Sequence, residues 1–371
     1  MAVSDELTKA AVKEEGKEGE EKKGDEKKTK AKDKTGEPQG TMKFRGSGFQ
    51  MFLYFVLFPL TGILLFIPVP FVTVSLRNWF FKNLGIDVEG KKIDVSFAGS
   101  GLALLKYWIP SLILIIVAVV FLSLGLSRSV SGVKGFLVGF LLTDLGLLVL
   151  APIPWLWVGK RKYIAKNLSV NLGGVGEENV ARLSFNGRGL SLLGYSVLAV
   201  LSALLLFIPL PWIIVAAVKW FSRSTIVTVG KKEYRPSFSG TGGSLFWYII
   251  GMFIASVVLV FPFVFKGLIA WFARYFNIIG LEKSVEFEFK GGAGRIYILA
   301  ALEAFFILTG SILGNLIYIL GKSGIISALW AIYAIKSFGV LLMLLIILVP
   351  QPFILTSLLK WQIDSTEIYI K

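Results

Sequence analysis

The sequence predicts a mainly α-helical, polytopic membrane protein. Its expected plan is five degenerate repeats of strand hairpin, membrane helix, proline turn and short amphipathic or re-entrant helix. Three observations carry this reading. The 371 residues are 55% hydrophobic with a mean hydropathy of +0.72, where soluble domains average about 45–50% apolar. Apolar runs recur that are long enough to cross a hydrocarbon core of roughly 30 Å. A Phe–Gly motif and a Pro–aromatic motif keep step with each other along the chain.

The first element is not part of that plan. Residues 1–40 hold ten Lys and eleven Asp/Glu and no aromatic residue. Such a stretch cannot bury enough apolar surface to offset its ordering entropy, so a disordered cytoplasmic tail is expected. It lacks the apolar core of a signal peptide, and the first apolar run starts near Phe49. Residues 41–371, the expected membrane domain, keep 29 Lys/Arg against 13 Asp/Glu, a net +16. Charges dispersed between apolar runs point to anionic lipid head groups as partners rather than nucleic acid. Lys32, Lys34, Lys43 and Arg45 precede the first run. They place the N-terminus in the cytoplasm of a bacterial cytoplasmic (inner) membrane.

The repeat is read from two motifs. Phe44 opens "FRGSG", Phe97 "FAGSG", Phe185 "FNGRG", Phe238 "FSGTGG" and Phe289 "FKGGAG", at spacings of 53, 88, 53 and 51 residues. Pro70, Pro154, Pro211, Pro262 and Pro352 are each followed by an aromatic residue. Nine residues after each Pro stand Trp79, Tyr163, Trp220, Trp271 and Trp361. The units are about 42–92, 93–180, 181–232, 233–283 and 284–371. Within a unit, the glycines are expected to allow a sharp turn from strand into helix. Units one, three and four carry one apolar run each, roughly 49–67, 190–208 and 244–261. Units two and five carry paired helices, roughly 102–126 with 135–151 and 297–320 with 324–349. Pro ends each run because it cannot donate the next backbone bond. A short helix with aromatic and basic residues follows, and its Trp or Tyr reads as an interfacial anchor.

Alternating segments then read as hairpins: "IDVEGKKIDVSF" (86–97) around Glu89-Gly90, "IVTVGKKEYRPSF" (226–238) around Gly230, and the second half of "GLEKSVEFEF" (280–289). "TEIYIK" (366–371) is expected to pair with "TMKFRG" (41–46) and close a fifth hairpin across the termini. The basic junctions favour all hairpins on one face. The rival arrangement makes the five short helices interfacial, counts seven spans and splits the hairpins between two faces. The Phe-x-Gly-x-Gly strand end, membrane helix, Pro-aromatic pair and Trp/Tyr with nearby bases resemble YjgN-like bacterial inner-membrane proteins. The best matches are "IPLPWIIVAAVKWFSRS" (208–224) and "FPFVFKGLIAWFARYFN" (261–277). That resemblance implies a membrane domain of unknown function and lends no substrate or catalytic residue.

Chemistry is sparse. Cys and His are both absent, which excludes thiol catalysis, disulfides, Cys/His metal sites and imidazole acid–base steps. No catalytic residue, metal site or cofactor is expected. "FSGTGG" is no phosphate loop, because "SLFWY" follows where a Lys-Ser/Thr would complete one. Charges inside apolar runs mark candidate sites. Asp144 in "LLTDLGLL" and Glu303 in "AALEAFF" are the sharpest, with Lys106 and Lys336, or Lys219 and Lys266, as candidate partners. The small-residue run "GSILGNL" (310–316) reads as a close helix contact, with Asn315 bonding across it. The expected function is a non-enzymatic structural or partner-organising membrane component, acting through hairpins, tail and lipids. The alternative is a transporter or channel for a small solute or ion, using Asp144 and Glu303.

Overall fold

The computed structural model describes residues 38–130, 132–173, 179–257, 260–279, 285–320 and 329–370. The predicted tail therefore lies outside the described residues, apart from its last positions, where Gly40 already begins the first strand. In chain order the strands are β1 (Gly40–Phe44), β2 (Leu84–Val88), β3 (Lys91–Phe97), β4 (Leu168–Asn171), β5 (Val180–Phe185), β6 (Thr225–Val229), β7 (Lys232–Phe238), β8 (Phe276–Ile279), β9 (Val285–Phe289) and β10 (Thr366–Ile370). The helices are α1 (Gly48–Ile63), α2 (Val69–Lys82), α3 (Gly101–Ser129), α4 (Gly132–Leu150), α5 (Ile153–Lys166), α6 (Gly189–Leu201), α7 (Leu210–Ser224), α8 (Gly242–Val257), α9 (Phe261–Arg274), α10 (Ala293–Leu320), α11 (Leu329–Leu348) and α12 (Gln351–Asp364).

All ten strands join one closed antiparallel barrel in which every neighbour in the chain is also a neighbour in the sheet. The first and last strands pair, Gly40 with Ile368 and Thr41 with Glu367, as the alternating termini predict. Because each strand runs opposite to the next, every helical excursion leaves and re-enters the barrel at the same end. The β2–β3 and β6–β7 turns sit at the other end, as do the end of β4 and start of β5 and the end of β8 and start of β9. Splitting the hairpins between two faces is therefore not compatible with the fold. At β2–β3 the turn places Glu89 at φ 53° and Gly90 at φ 76°, the two left-handed residues of a tight hairpin.

Period-2 alternation gives the barrel one polar and one apolar face. Thr41, Lys43, Lys92, Asp94 and Ser96 are exposed, while Met42, Ile93 and Val95 between them are half-buried and Phe44 and Phe97 buried. Among the described residues four helical stretches are long and apolar enough to cross a membrane: Gly101–Ser129, Gly132–Lys166, Ala293–Leu320 and Ala331–Asp364. They belong to the two paired units. Small residues let each pair close up. Gly125 faces Gly139 and Gly146 faces Ala118 between α3 and α4, while Gly310 and Gly314 face Met343 and Gly339 between α10 and α11. Asn315, expected to bond across that seam, instead donates to Ser311 O one turn back in its own helix.

The single runs are shorter than the sequence suggests. α1 stops at Ile63 and α6 at Leu201, and Leu65, Phe66, Leu206 and Phe207 take left-handed φ of 51–60°. The prolines behind them, Pro68 and Pro209, disfavour helix in the preceding residue and start a new one. The resulting tips, Leu64–Ile67 and Leu204–Ile208, are entirely apolar and exposed. The α1–α2 tip does not reach as far as the paired helices. Trp108, only seven residues into α3, donates its indole N–H to Phe66 O at 2.9 Å.

Candidate functional site

The Phe–Gly motif is a packing joint. Phe44, Phe185, Phe238 and Phe289 each meet a Trp edge-on, respectively Trp79, Trp220, Trp271 and Trp361, with ring centroids 4.8–5.8 Å apart. Such pairs add about 0.5–1.5 kcal/mol beyond burial. In the second unit Tyr163 takes the Trp position, and its hydroxyl accepts from Ser100 N at 2.7 Å. The first glycine of each motif lies flat on these rings. A Cβ on Gly46 would come within 2.6 Å of Phe44 and 2.7 Å of Trp79. The second glycine receives the post-proline aromatic of the preceding unit. Phe71 packs on Gly101, Trp155 on Gly189, Trp212 on Gly242 and Phe353 on Gly48. None of these glycines has positive φ, so the expected sharp turn is not their reason. Close approach of rings is.

This corrects the expectation for the anchors. Trp79, Trp271 and Trp361 are 8%, 6% and 4% exposed, with Tyr163 and Trp220 half-buried. Their role is to lock helix to strand. Of the two aromatics in each Pro–aromatic motif, it is the post-proline one that is exposed: Phe71, Trp155, Trp212, Phe263 and Phe353.

The structure does not bring the intramembrane charges together. On the α3–α4 register set by Gly125–Gly139 and Ala118–Gly146, Asp144 lies level with residue 120 of α3. Lys106 is fourteen residues further down that helix, about 21 Å at 1.5 Å per residue. On the α10–α11 register set by Gly310–Met343 and Gly314–Gly339, Glu303 lies level with Pro350 and Lys336 with residue 317. That separation is again about 21 Å. Asp144, Glu303 and Lys106 are exposed and Lys336 half-buried. Lys106 instead covers the Tyr107 and Tyr163 rings at 5.0 and 5.9 Å, and Lys336 covers Tyr318 at 5.2 Å. Among the described residues no group of acidic side chains could hold a metal.

Two arrangements of charge escaped the sequence reading. At the barrel seam Lys290 Nζ meets Glu367 Oε2 at 2.6 Å and Tyr369 OH at 2.5 Å, and Tyr369 OH donates to Glu367 Oε2 at 2.7 Å. The hydrogen bond from Lys290, then that from Tyr369, holds the Glu367 carboxyl below its ordinary range. The second is a cluster of cations on α2 and α5. Arg77 lies over Phe97 at 5.7 Å, Arg161 over Trp157 at 4.9 Å and Phe221 at 5.2 Å, and Lys160 over Trp108 at 5.8 Å. A polar groove of about 250 Å³ lies over β1–β3 and combines Lys43, Arg45, Lys82 and Lys92 with Asp87 and Asp94. Comparison with protein-family models, curated proteins and solved structures finds no match to this chain.

Proposed function

We propose that the protein is a non-enzymatic scaffold of a bacterial cytoplasmic membrane. Five repeat units assemble it, and it presents the hairpin end of its barrel to a partner on the cytoplasmic side. The single observation that carries the reading is the polarity of the barrel: helices leave one end, and the hairpin turns leave the other. Charge spacing agrees with a membrane under the barrel. Lys106 and Arg128 bracket an uncharged stretch of α3 that is about 33 Å long, against roughly 30 Å of hydrocarbon. The paired units then cross the bilayer, and the short helix pairs α1–α2 and α6–α7, with their apolar tips, dip into it from the barrel side. The turn end carries Glu89, Lys91, Lys92, Lys231, Lys232 and Glu233, a mixed-charge surface suited to a protein rather than a bilayer. The separation of Asp144 from Lys106 and of Glu303 from Lys336, about 21 Å each along their helix pairs, argues against an ion-paired transport path through either pair.

The chain has no native Cys, so Lys91→Cys and Lys231→Cys are clean probes in intact cells. Both should resist a membrane-impermeant maleimide until the cytoplasm is opened, and both should cross-link to one discrete partner. Labelling of either from outside would defeat the orientation. Solute flux through the purified protein in liposomes, lost in Asp144→Asn/Glu303→Gln, would replace the scaffold with a transporter.

A further inference from the structure

We propose that Arg77, Lys160 and Arg161 form a binding site for a phosphate-bearing anion, held between α2, α5 and α7 at the barrel side of the membrane layer. The inference rests on the membrane placement above only for the source of the ligand. The residues converge from two units. Arg77 and Arg161 stand at the same position, seven residues after Pro70 and Pro154. Arg77 lies over Phe97, whose ring shares a core cluster with Ile164, one turn after Lys160 and Arg161 on α5, and each charge disfavours its neighbours'. All three are half-buried. Among the described residues no carboxylate forms an ion pair with any of the three.

Like charges are not gathered in partly desolvated space without compensation. The aromatic faces of Phe97, Trp157, Phe221 and Trp108 supply some of it through cation–π contact. A guanidinium lying over a ring satisfies its face and leaves its in-plane N–H fork free. The Arg77 fork shows this: Nη1 is buried and has no acceptor. A buried donor on a charged group seldom stays unpaired in the working state of a protein. A fork of this kind matches two oxygens of a phosphate. A second guanidinium and an ammonium beside it would neutralise a mono- or dianion. Lipid phosphodiester and free phosphate share this chemistry, so the experiment separates them.

Full-length protein purified in non-ionic detergent is titrated with dioleoylphosphatidylglycerol, with dioleoylphosphatidylcholine and with inorganic phosphate. Native mass spectrometry counts bound lipid. Tryptophan fluorescence, with Trp157 and Trp108 in the cluster, reads binding of each ligand. Phosphatidylglycerol should bind about tenfold more tightly than the zwitterionic lipid. Arg77→Gln/Arg161→Gln should abolish that preference, and Lys162→Gln, an exposed cation on the same helix, should leave it intact. Arg77→Lys/Arg161→Lys keeps the charge but loses the fork, and should weaken binding severalfold. This variant decides the matter if the glutamine pair does not fold. Saturable binding of inorganic phosphate with the same variant dependence, without lipid preference, would keep the site and assign it a soluble ligand. Equal binding of both lipids with no response to phosphate, or wild-type behaviour of both double variants, would overturn the proposal. Loss of the protein from the membrane fraction would instead strike the membrane placement alone.

Discussion

Gly242 and Gly243 are adjacent in the first turn of α8, yet Ala should act on them with opposite sign. A Cβ on Gly242 would sit 2.5 Å from Trp212 Cγ and Cδ1 and 2.6 Å from Trp212 Cα. The ring could swing aside, but the Cα belongs to the first turn of α7, which Pro209 and Pro211 fix. Overpacking of this kind costs about 1–3 kcal/mol. Against it stands the helix preference of Ala over Gly, about 0.5–1 kcal/mol. A Cβ on Gly243 meets nothing within 4 Å, so only the gain remains. Gly242→Ala should therefore melt below wild type and Gly243→Ala at or above it. For domains of 150–250 residues each kcal/mol moves the midpoint by about 2–4 °C. Thermal scans of detergent-solubilised protein, followed by tryptophan fluorescence at one scan rate, would read the difference. A Gly242→Ala midpoint equal to or above that of Gly243→Ala would refute the claim that ring approach, rather than turn geometry, requires glycine here.

Three further outcomes follow from the seam and the helices. Asp364 Oδ1 accepts from Phe44 N at 2.7 Å; Asp364→Ala should cost about 1.5–3 kcal/mol, as for a hydrogen bond to a charged group, and speed hydrogen exchange in β1 and β10. The folded Glu367 carboxyl titrates below its unfolded value, so its stabilisation is complete above the unfolded value near pH 4.3. It is lost as pH falls through the lower folded value. The pair is part-exposed, so solvent screens it and the effect is small; Glu367→Gln should flatten the acid limb of a midpoint-against-pH plot. Asp144 is exposed on an apolar helix and makes no hydrogen bond or ion pair among the described residues. A carboxylate at a helix centre disfavours insertion by about 2.5–3.5 kcal/mol, so Asp144→Asn should raise the melting midpoint. A fall would reveal a cation supplied by a partner.

The Phe–Trp joints were legible as a spacing because the Phe–Gly and Pro–aromatic motifs each recur five times in the sequence, and Phe44, Phe185, Phe238 and Phe289 each meet the Trp nine residues after a Pro. The pairing of "TMKF" with "TEIYI" was legible from alternation, yet the single barrel was not. Alternation says which face a residue takes and nothing about which strand lies beside it. β3 finds β4 across the seventy residues that carry α3, α4 and α5. The glycines were misread because a sequence does not distinguish a residue chosen for φ from one chosen for its missing Cβ. The apolar run from Phe49 to Ile67 looked continuous because left-handed Leu65 and Phe66 have no signal of their own. The cation cluster did have one: Arg77 and Arg161 share a register position in the aligned units, where Val218, Ile269 and Leu359 stand in the other three.

Closure explains why the joints are so uniform. An open sheet of these strands would leave β1 and β10 as unpaired edges, a template for association with other chains. Joining them removes both edges, but the partners are 320 residues apart in sequence at the Phe44–Asp364 bond. The entropy of closing such a loop grows only logarithmically with length, so a few well-placed bonds suffice once the rest of the ring is in register. They are present: Gln39 N donates to Ile368 O at 3.1 Å and Ile370 N to Gln39 Oε1 at 2.9 Å. The register itself must come from elsewhere, because an error of one residue at any joint would carry round to the seam and turn the apolar face outward. The aromatic–glycine locks supply it. Each fixes one strand end against one helix, and Phe71, Trp155, Trp212 and Phe353 fix the next helix start. A packing device repeated along the chain thus does for the ring what turn chemistry does for a single hairpin.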